Sequence, residues 1–347
     1  MAVTLAEPRL LLVKLSSLGD VIHALPTLEA LRTLYPHGEI TWLVEAGNAP
    51  LLERHPALDQ VWPVPRLRWR GNDFLEGMGS LLRIARHLRG QTFDLVIDLQ
   101  GLLKSAVWVA LAKSPRKLGF DRTRELSYLP LTEKLPPYDP EEHAVWRYLR
   151  VARHLGAPPA TPRFRLGFTF PENLSHLWPE REVRPLAILH PGARWSSKLW
   201  PAASWARLAE WLAEERGFQV AVSGSAADRH LAEEIISRSQ TPLLNLAGRT
   251  SLPELAALLK KARLAVTTDT GPMHLAVALG TPVVAIFGPT APWRTGPFGQ
   301  NHEVVRLSYP CSPCFKRRCP KPRCLTDLPP SSVRQAVEKL LLRQEIP

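Results

Sequence analysis

Three short stretches of the 347-residue chain combine residue types that suit chemistry at a phosphorylated ligand. The first, Lys14-Leu15-Ser16-Ser17-Leu18-Gly19-Asp20-Val21-Ile22-His23, follows an apolar run and leads into a helical pattern. A carboxylate in the first turn of a helix keeps its charge with the help of the amide dipoles, so Asp20 is placed to act as a general base. Helix capping alone would also account for it. The stretch has one glycine where a dinucleotide fingerprint needs three, and the chain holds no P-loop Gly-Lys-Ser/Thr.

The second stretch runs from His190-Pro191-Gly192-Ala193-Arg194 through Trp195-Ser196-Ser197-Lys198 to Trp200-Pro201. It offers a guanidinium fork, a point charge, two hydroxyls and a glycine for close backbone approach, which together suit a diphosphate. The competing reading is an ordinary basic loop with Trp195 and Trp200 packed beneath it. The third stretch, Thr267-Thr268-Asp269-Thr270-Gly271-Pro272-Met273-His274, reads as a strand end followed by a capped helix start. Asp269 or Thr270 would cap that helix and Pro272 would take its first position. Its unpaired amides form an anion site that His274 would face.

Such loops need strands and helices behind them, and the chain alternates the two throughout. Apolar strands are predicted at Leu10–Val13, Glu39–Val44, Val61–Val64 and Phe93–Asp98, with helices such as Val21–Leu34 and Asp73–Leu88 between them. The scheme restarts at Leu186–Leu189 and continues with Gln219–Val222, Leu243–Leu246, Leu264–Thr267 and Val283–Phe287. Alternation of this kind predicts an α/β fold with mainly parallel sheets, and two sheets of similar design suit the length better than one. The stretch from Gly156 to Pro185, rich in Pro, Phe and Arg, is the linker candidate. The expected division is an N-terminal Rossmann-like domain over 1–165, a second over 166–330, and a terminal amphipathic helix over 331–347. That helix is opened by Ser331-Ser332 and carries Val333, Val337, Leu340 and Leu341.

Composition sets further limits. The 45% apolar and 22% charged content excludes general disorder. No apolar run approaches the ~18 residues of a membrane span, and the N-terminus lacks the pattern of a signal peptide, so a cytoplasmic protein is expected. The formal charge of +12 is concentrated, with twelve basic against five acidic residues between Arg66 and Arg124. An anionic partner such as nucleic acid, anionic lipid or a phosphorylated molecule would use such a patch. All four cysteines lie in one basic segment as Cys311, Cys314, Cys319 and Cys324, a C-x2-C-x4-C-x4-C spacing compatible with zinc, with free thiols or with disulfides.

The order of these segments resembles that of the bacterial lipopolysaccharide heptosyltransferases, glycosyltransferase family 9, over nearly the whole chain. The resemblance is carried by the opening Val-Lys-x-Ser-Ser-Leu-Gly-Asp-Val, Arg66-Leu67-Arg68-Trp69-Arg70 and Asp98-Leu99-Gln100-Gly101-Leu102-Leu103-Lys104-Ser105. It continues through His143-Ala144-Val145, Pro191-Gly192-Ala193-Arg194 with Lys198-x-Trp200-Pro201, Asp269-Thr270-Gly271-x-x-His274-Leu275 and Gly288-Pro289-Thr290. The likeness is greatest to members that add heptose to the Kdo of the lipid A core. It implies the GT-B fold, two Rossmann-like domains facing across a cleft. It also implies an inverting, metal-independent transfer from ADP-heptose to Kdo or heptose of the inner core.

On that resemblance Asp20 is the base and Lys198 neutralises the leaving diphosphate. Thr270, Gly271 and His274 form its cradle, Asp269 meets the donor sugar, Asp228 the ribose and Thr250 the nucleobase. Gly192, Arg194 and Ser196 belong to the same donor site. Arg66, Arg68, Arg70, Gln100, Lys104, Arg124 and His143 fall on the acceptor side, facing an anionic glycolipid. The enzyme would be peripheral at the inner face of the cytoplasmic membrane, with no nucleic-acid partner. The donor loop departs from the family in lacking paired threonines, which leaves a same-fold transferase for another cell-surface glycan as the main alternative. A metal-containing nucleic-acid-binding protein is the remote one, because it leaves the Asp20 and Asp269 loops unexplained.

Overall fold

The computed structural model describes residues 7–66, 73–178 and 183–345, and the chain divides into two compact units, Met1–Thr169 and Phe170–Pro347. The first unit holds a six-stranded sheet of β1 (Arg9–Val13), β2 (Glu39–Glu45), β3 (Gln60–Val64), β4 (Leu95–Asp98), β5 (Arg116–Phe120) and β6 (Glu133–Leu135). Its spatial order is β3-β2-β1-β4-β5-β6 and every pairing is parallel. The second unit holds β7 (Leu186–His190), β8 (Gln219–Val222), β9 (Leu244–Asn245), β10 (Leu264–Thr268), β11 (Val283–Ile286) and β12 (His302–Val305). Its order, β12-β11-β10-β7-β8-β9, is the same Rossmann order, again all parallel.

Helices cover these sheets, so the central strands are apolar on both faces. Leu10 to Val13 of β1 and Ala187 to Leu189 of β7 have no solvent exposure, and each leucine, isoleucine and valine among them contributes roughly 1.5–3 kcal/mol by leaving water. The helix Leu18–Leu34 follows β1 and buries Val21, Ile22, Leu25 and Leu28. The helix Ala144–His154 packs beside it. The terminal helix Pro330–Glu345 places Val333, Val337, Leu340 and Leu341 in the core of the second unit, as its periodicity predicts. The stretch from Gly156 to Pro185 has no helix or strand among its described residues, and the division between the units falls within it. No described helix is long and apolar enough to cross a membrane.

Three strands escape the sequence reading: β5, β6 and β12. In β5 and β6 the polar residues Arg116, Lys117, Glu133 and Lys134 sit on the strands themselves, and Arg116 pairs with Glu133 across them at 2.8 Å. Neighbouring strands, which the chain order does not reveal, supply the pairing that apolar character would otherwise announce.

Buried histidines give this fold a pH dependence. His302 accepts a hydrogen bond at Nδ1 from the Val283 amide at 3.2 Å, and burial pushes its pKa down to about 4. Burial does the same for His190, whose Nδ1 lies 3.0 Å from Ser223 Oγ. The unfolded chain takes up these protons from about pH 6.5 downward, whereas the folded one does so only near 4, so stability is complete above 6.5 and falls between. Urea midpoints are expected to drop between pH 7 and pH 5, and His302→Gln to lessen the drop. A flat profile over that range contradicts the neutral burial of these rings.

Candidate functional site

In a parallel sheet of this order, polar groups converge beyond the carboxyl ends of the strands where chain direction switches. In the second unit that point lies between β7 and β10, and the two predicted donor stretches leave the sheet there. Lys198 ends a single helical turn, Ser196–Lys198, and its Nζ donates to Asp269 Oδ2 at 2.6 Å and to the Asp269 carbonyl at 3.2 Å. The same Oδ2 accepts from Thr290 Oγ1 at 2.7 Å. Asp269 is buried, so the ammonium and hydroxyl offset the cost of taking its charge out of water. An ammonium has three donors, and Asp269 uses two of Lys198's.

Around this pair the loops pack closely. The Gly192 carbonyl accepts from Thr268 Oγ1 at 2.8 Å, and a Cβ on Gly192 would lie only 2.5 Å from Asp228 Cγ. Only glycine lets the loop after β7 pass so near that carboxylate. Asp228 Oδ2 accepts from the Ser225 amide at 2.8 Å and from Ser225 Oγ at 2.6 Å. A cavity of about 520 Å³ is lined by Gly192, Arg194, Asp228, Thr250 and Thr270 together with His190. Thr270 is the N-cap of the helix Gly271–Ala278, and Pro272 takes its second position rather than the first. His274, in the same helix, is buried. Ser196 turns its hydroxyl toward the Arg317 carbonyl at 3.5 Å instead of the cavity wall.

The cysteine segment has a structural part that its spacing did not disclose. Ser197 Oγ donates to the Lys316 carbonyl at 2.6 Å, and the amides of Cys314 and Phe315 donate to the Pro289 carbonyl at 3.0 and 2.8 Å. Ser312 Oγ donates to the Gly288 carbonyl at 2.6 Å. The segment thus straps the loop bearing Lys198 to the loop bearing Thr290. All four cysteines are free thiols. Burial first, then the neighbouring Cys314, Cys311 and Cys319, raise the Cys324 thiol pKa. Among the described residues no three His, Cys, Asp or Glu side chains are arranged to hold a metal ion.

In the first unit the switch point lies between β1 and β4. Asp20 closes a capping box at the start of its helix, its Oδ2 accepting from the Ser17 amide at 3.0 Å and from Ser17 Oγ at 2.8 Å. Its Oδ1 accepts from Tyr148 OH at 3.3 Å. Gln100 is half-buried, and its Oε1 accepts from the Leu15 and Ser16 amides, each at 3.1 Å, and so shapes the Asp20 loop. Lys104 pairs with Glu45 at 2.7 Å and donates to Ser16 Oγ. His143 caps the helix Ala144–His154, its Nδ1 accepting from the Val145 amide at 3.3 Å, and its ring meets that of His23 edge-on at 5.3 Å. Arg66 and Arg124 are exposed, while Arg68 and Arg70 lie outside the described residues.

Sequence reasoning missed Lys14, Tyr148 and Thr290 as parts of these sites. Lys14 stood within the first stretch, but only its burial shows that it faces inward. Thr290 stood in the Gly288-Pro289-Thr290 segment that carries part of the resemblance, with no role assigned, and Tyr148 carried no signal beyond its type.

Two Rossmann-like units with sheets of this order form the GT-B architecture of a glycosyltransferase, the architecture of the solved heptosyltransferases that the fold matches. The E. coli ADP-heptose lps heptosyltransferase II superposes with a TM-score of 0.78 at 27% identity, covering 97% of this chain and 99% of that one. E. coli heptosyltransferase WaaC, solved with ADP, gives 0.75 at 27% identity, covering 96% and 99%. In sequence, lipopolysaccharide heptosyltransferase 1 of Pseudomonas aeruginosa is 36% identical over 97% of this chain and 99% of its own. The profile of Glycosyltransferase family 9 (heptosyltransferase) matches residues 81–324. The chain belongs to that family.

The Asp269 pair yields a stability prediction. Thr290→Val keeps the shape but removes a hydrogen bond from a buried carboxylate, at a cost of about 1–3 kcal/mol in urea unfolding. An unchanged midpoint would mean that Thr290 does not support Asp269.

Proposed function

We propose that the chain transfers heptose from ADP-heptose to Kdo or heptose of the lipopolysaccharide inner core, with inversion at the anomeric carbon. The reading rests foremost on one arrangement: a carboxylate, Asp20, at the switch point of one Rossmann sheet, and a cation, Lys198, at the equivalent point of the other. Asp20 takes the proton of the acceptor hydroxyl as its oxygen attacks the anomeric carbon. The bond from that carbon to the diphosphate breaks, and ADP departs. Negative charge growing on the diphosphate is met by Lys198, by Arg194 and by the start of the helix Gly271–Ala278. A one-step inversion needs a single carboxylate on the acceptor side, in contrast to the two close carboxylates of a retaining glycosidase.

Adenine as the base is supported by the relatives solved with ADP and with ADP-2-deoxy-2-fluoro heptose. Asp228 and Thr250, on one cavity, would hold the ribose and base. Asp269, already held by Lys198 and Thr290, would receive the donor sugar. Gly192 lets the loop approach Asp228, Thr270 and Gly271 with His274 would cradle the diphosphate, and Ser196 would support the loop from outside. On the acceptor side Arg66, Arg68, Arg70, Lys104, Arg124 and His143 would meet the anionic glycolipid, with Gln100 shaping the loop behind them. A structural zinc at Cys311, Cys314, Cys319 and Cys324 is supported by their spacing alone, and it would require the four side chains to draw together from their described positions.

Contact with the inner face of the cytoplasmic membrane is supported by a half-apolar, basic surface. Leu103, Val107, Leu126 and Leu129 are at least half exposed and share it with Arg122 and Arg124. A 2.9 Å bond from the Leu103 amide to Glu125 Oε2 joins its two segments. Exposed leucines beside arginines suit an anionic lipid surface.

Asp20→Asn is expected to lower transfer by about 10²–10⁴-fold while ADP still binds, a range typical of a lost general base. Wild-type turnover in that variant would remove the assignment. Stabilisation in thermal-shift assays should favour ADP-sugars over GDP-, UDP- and dTDP-sugars; preference for another base would redirect the donor to a different glycan. Leu126→Glu with Leu129→Glu should reduce cosedimentation with phosphatidylglycerol vesicles, and equal binding would place the membrane contact elsewhere.

A further inference from the structure

Two polar groups beside the Asp20 loop take no part in the transfer as written. Lys14 is buried at 1% exposure, the last place where a lysine is easily kept. Its Nζ donates to the Leu99 carbonyl at 3.0 Å and to Tyr148 OH at 2.7 Å, and lies 4.4 Å from the Tyr148 ring centroid. Tyr148 OH in turn donates to Asp20 Oδ1 at 3.3 Å. The result is a continuous chain from the buried ammonium through the phenol to the carboxylate.

Packing does not explain this lysine. A methionine or leucine would fill the same space without the desolvation that lowers the Lys14 pKa, a cost opposed by attraction from Asp20 and Asp98. The Lys14 main chain is already tied by its amide to the Leu43 carbonyl at 3.3 Å and by its carbonyl to Trp42 Nε1 at 3.1 Å. Its side chain is divided between the Leu99 carbonyl and Tyr148, and Tyr148 passes the contact on to Asp20.

We propose that Lys14 and Tyr148 are positioning residues for Asp20, Tyr148 fixing the orientation of its carboxylate and Lys14 holding Tyr148 while supplying the positive charge that keeps the carboxylate ionised. The proposal rests on Asp20 being the base. Ser17 holds Oδ2 and Tyr148 holds Oδ1, so neither oxygen is left to rotate. Other charged and titratable groups that act on Lys14 and Tyr148 include Asp98 of β4, Lys104, Arg147 beside Tyr148, and Tyr138. His23 and His143 meet between the two helices that carry Asp20 and Tyr148. Loss of the Tyr148 donor or of the Lys14 charge disfavours the ionised carboxylate, so its pKa rises and the base is protonated at higher pH.

The test is the pH profile of kcat/KM from pH 5 to 9.5 for Tyr148→Phe and Lys14→Met. The acid limb is expected to move upward by roughly half to one pH unit in Tyr148→Phe, and in the same direction in Lys14→Met. Above the shifted limb the rate should recover toward wild type, with ADP affinity unchanged. A merely structural role would lower the rate evenly at every pH. An acid limb at its wild-type position in folded, ADP-binding Tyr148→Phe overturns the proposal, and that variant decides alone if Lys14→Met fails to fold. Asp20→Asn separates the two levels: wild-type turnover there removes the base reading and this inference with it. An inactive Asp20→Asn beside an unmoved limb in Tyr148→Phe removes the inference alone.

Discussion

A parallel strand covered by helices on both faces is mainly apolar until it leaves the sheet, and this constraint governs the central strands of both units. β1 from Leu10 to Val13 and β7 from Leu186 to Leu189 are apolar and buried, so the chemistry of each unit is displaced to the loops that follow them. The Rossmann order adds the second half of the constraint, since the neighbouring strands β4 and β10 run on toward opposite edges and open space beside those loops. Gln100 holds the loop that leads to Asp20 at one such point, and Lys198 meets Asp269 at the other.

Three charged groups that lie inside, Asp98, Asp269 and Lys14, each have named partners. Asp98 accepts from the amides of Gln100 and Gly101 and from Ser105 Oγ, which together work against the burial that raises its pKa. Asp269 is held by Lys198 and Thr290, and Lys14 by Leu99 and Tyr148. Removing one partner of such a group leaves a charge or donor uncompensated in a poorly hydrated place, which makes these networks costly to break and therefore rigid. Rigidity is what a transfer reaction requires of groups that must meet developing charge without reorganising.

The excess positive charge divides along the chain. In the second unit Lys198 and Arg317 both lie against the Trp195 ring, and the segment that carries Arg317 braces the donor loop through main-chain carbonyls. The cysteine-rich stretch, compositionally the most conspicuous part of the chain, thus works through its backbone. In the first unit Arg122 and Arg124 are exposed and stand close along the chain to the exposed Leu126 and Leu129, and the proposed lipid contact rests on that combination.

Most of the architecture was legible in the chain because central parallel strands must be apolar and their helices periodic; β1, β4, β7, β10 and the terminal helix declare themselves in this way. β5, β6 and β12 do not, because neighbouring strands rather than their own residues determine their pairing. The three polar loops were likewise legible, since helix starts, glycines and basic residues cluster within a few positions. The sequence by itself therefore determined the fold class and where along the chain the chemistry sits. Only the tertiary structure decided which polar groups touch: that Gln100 holds the Ser16 amide, that Thr290 reaches Asp269, and that a buried lysine reaches Asp20 through a tyrosine 128 positions away. The physical reason is that hydrogen bonds are read over about 3 Å of space, and separation along the chain says nothing about that distance until the sheet is folded.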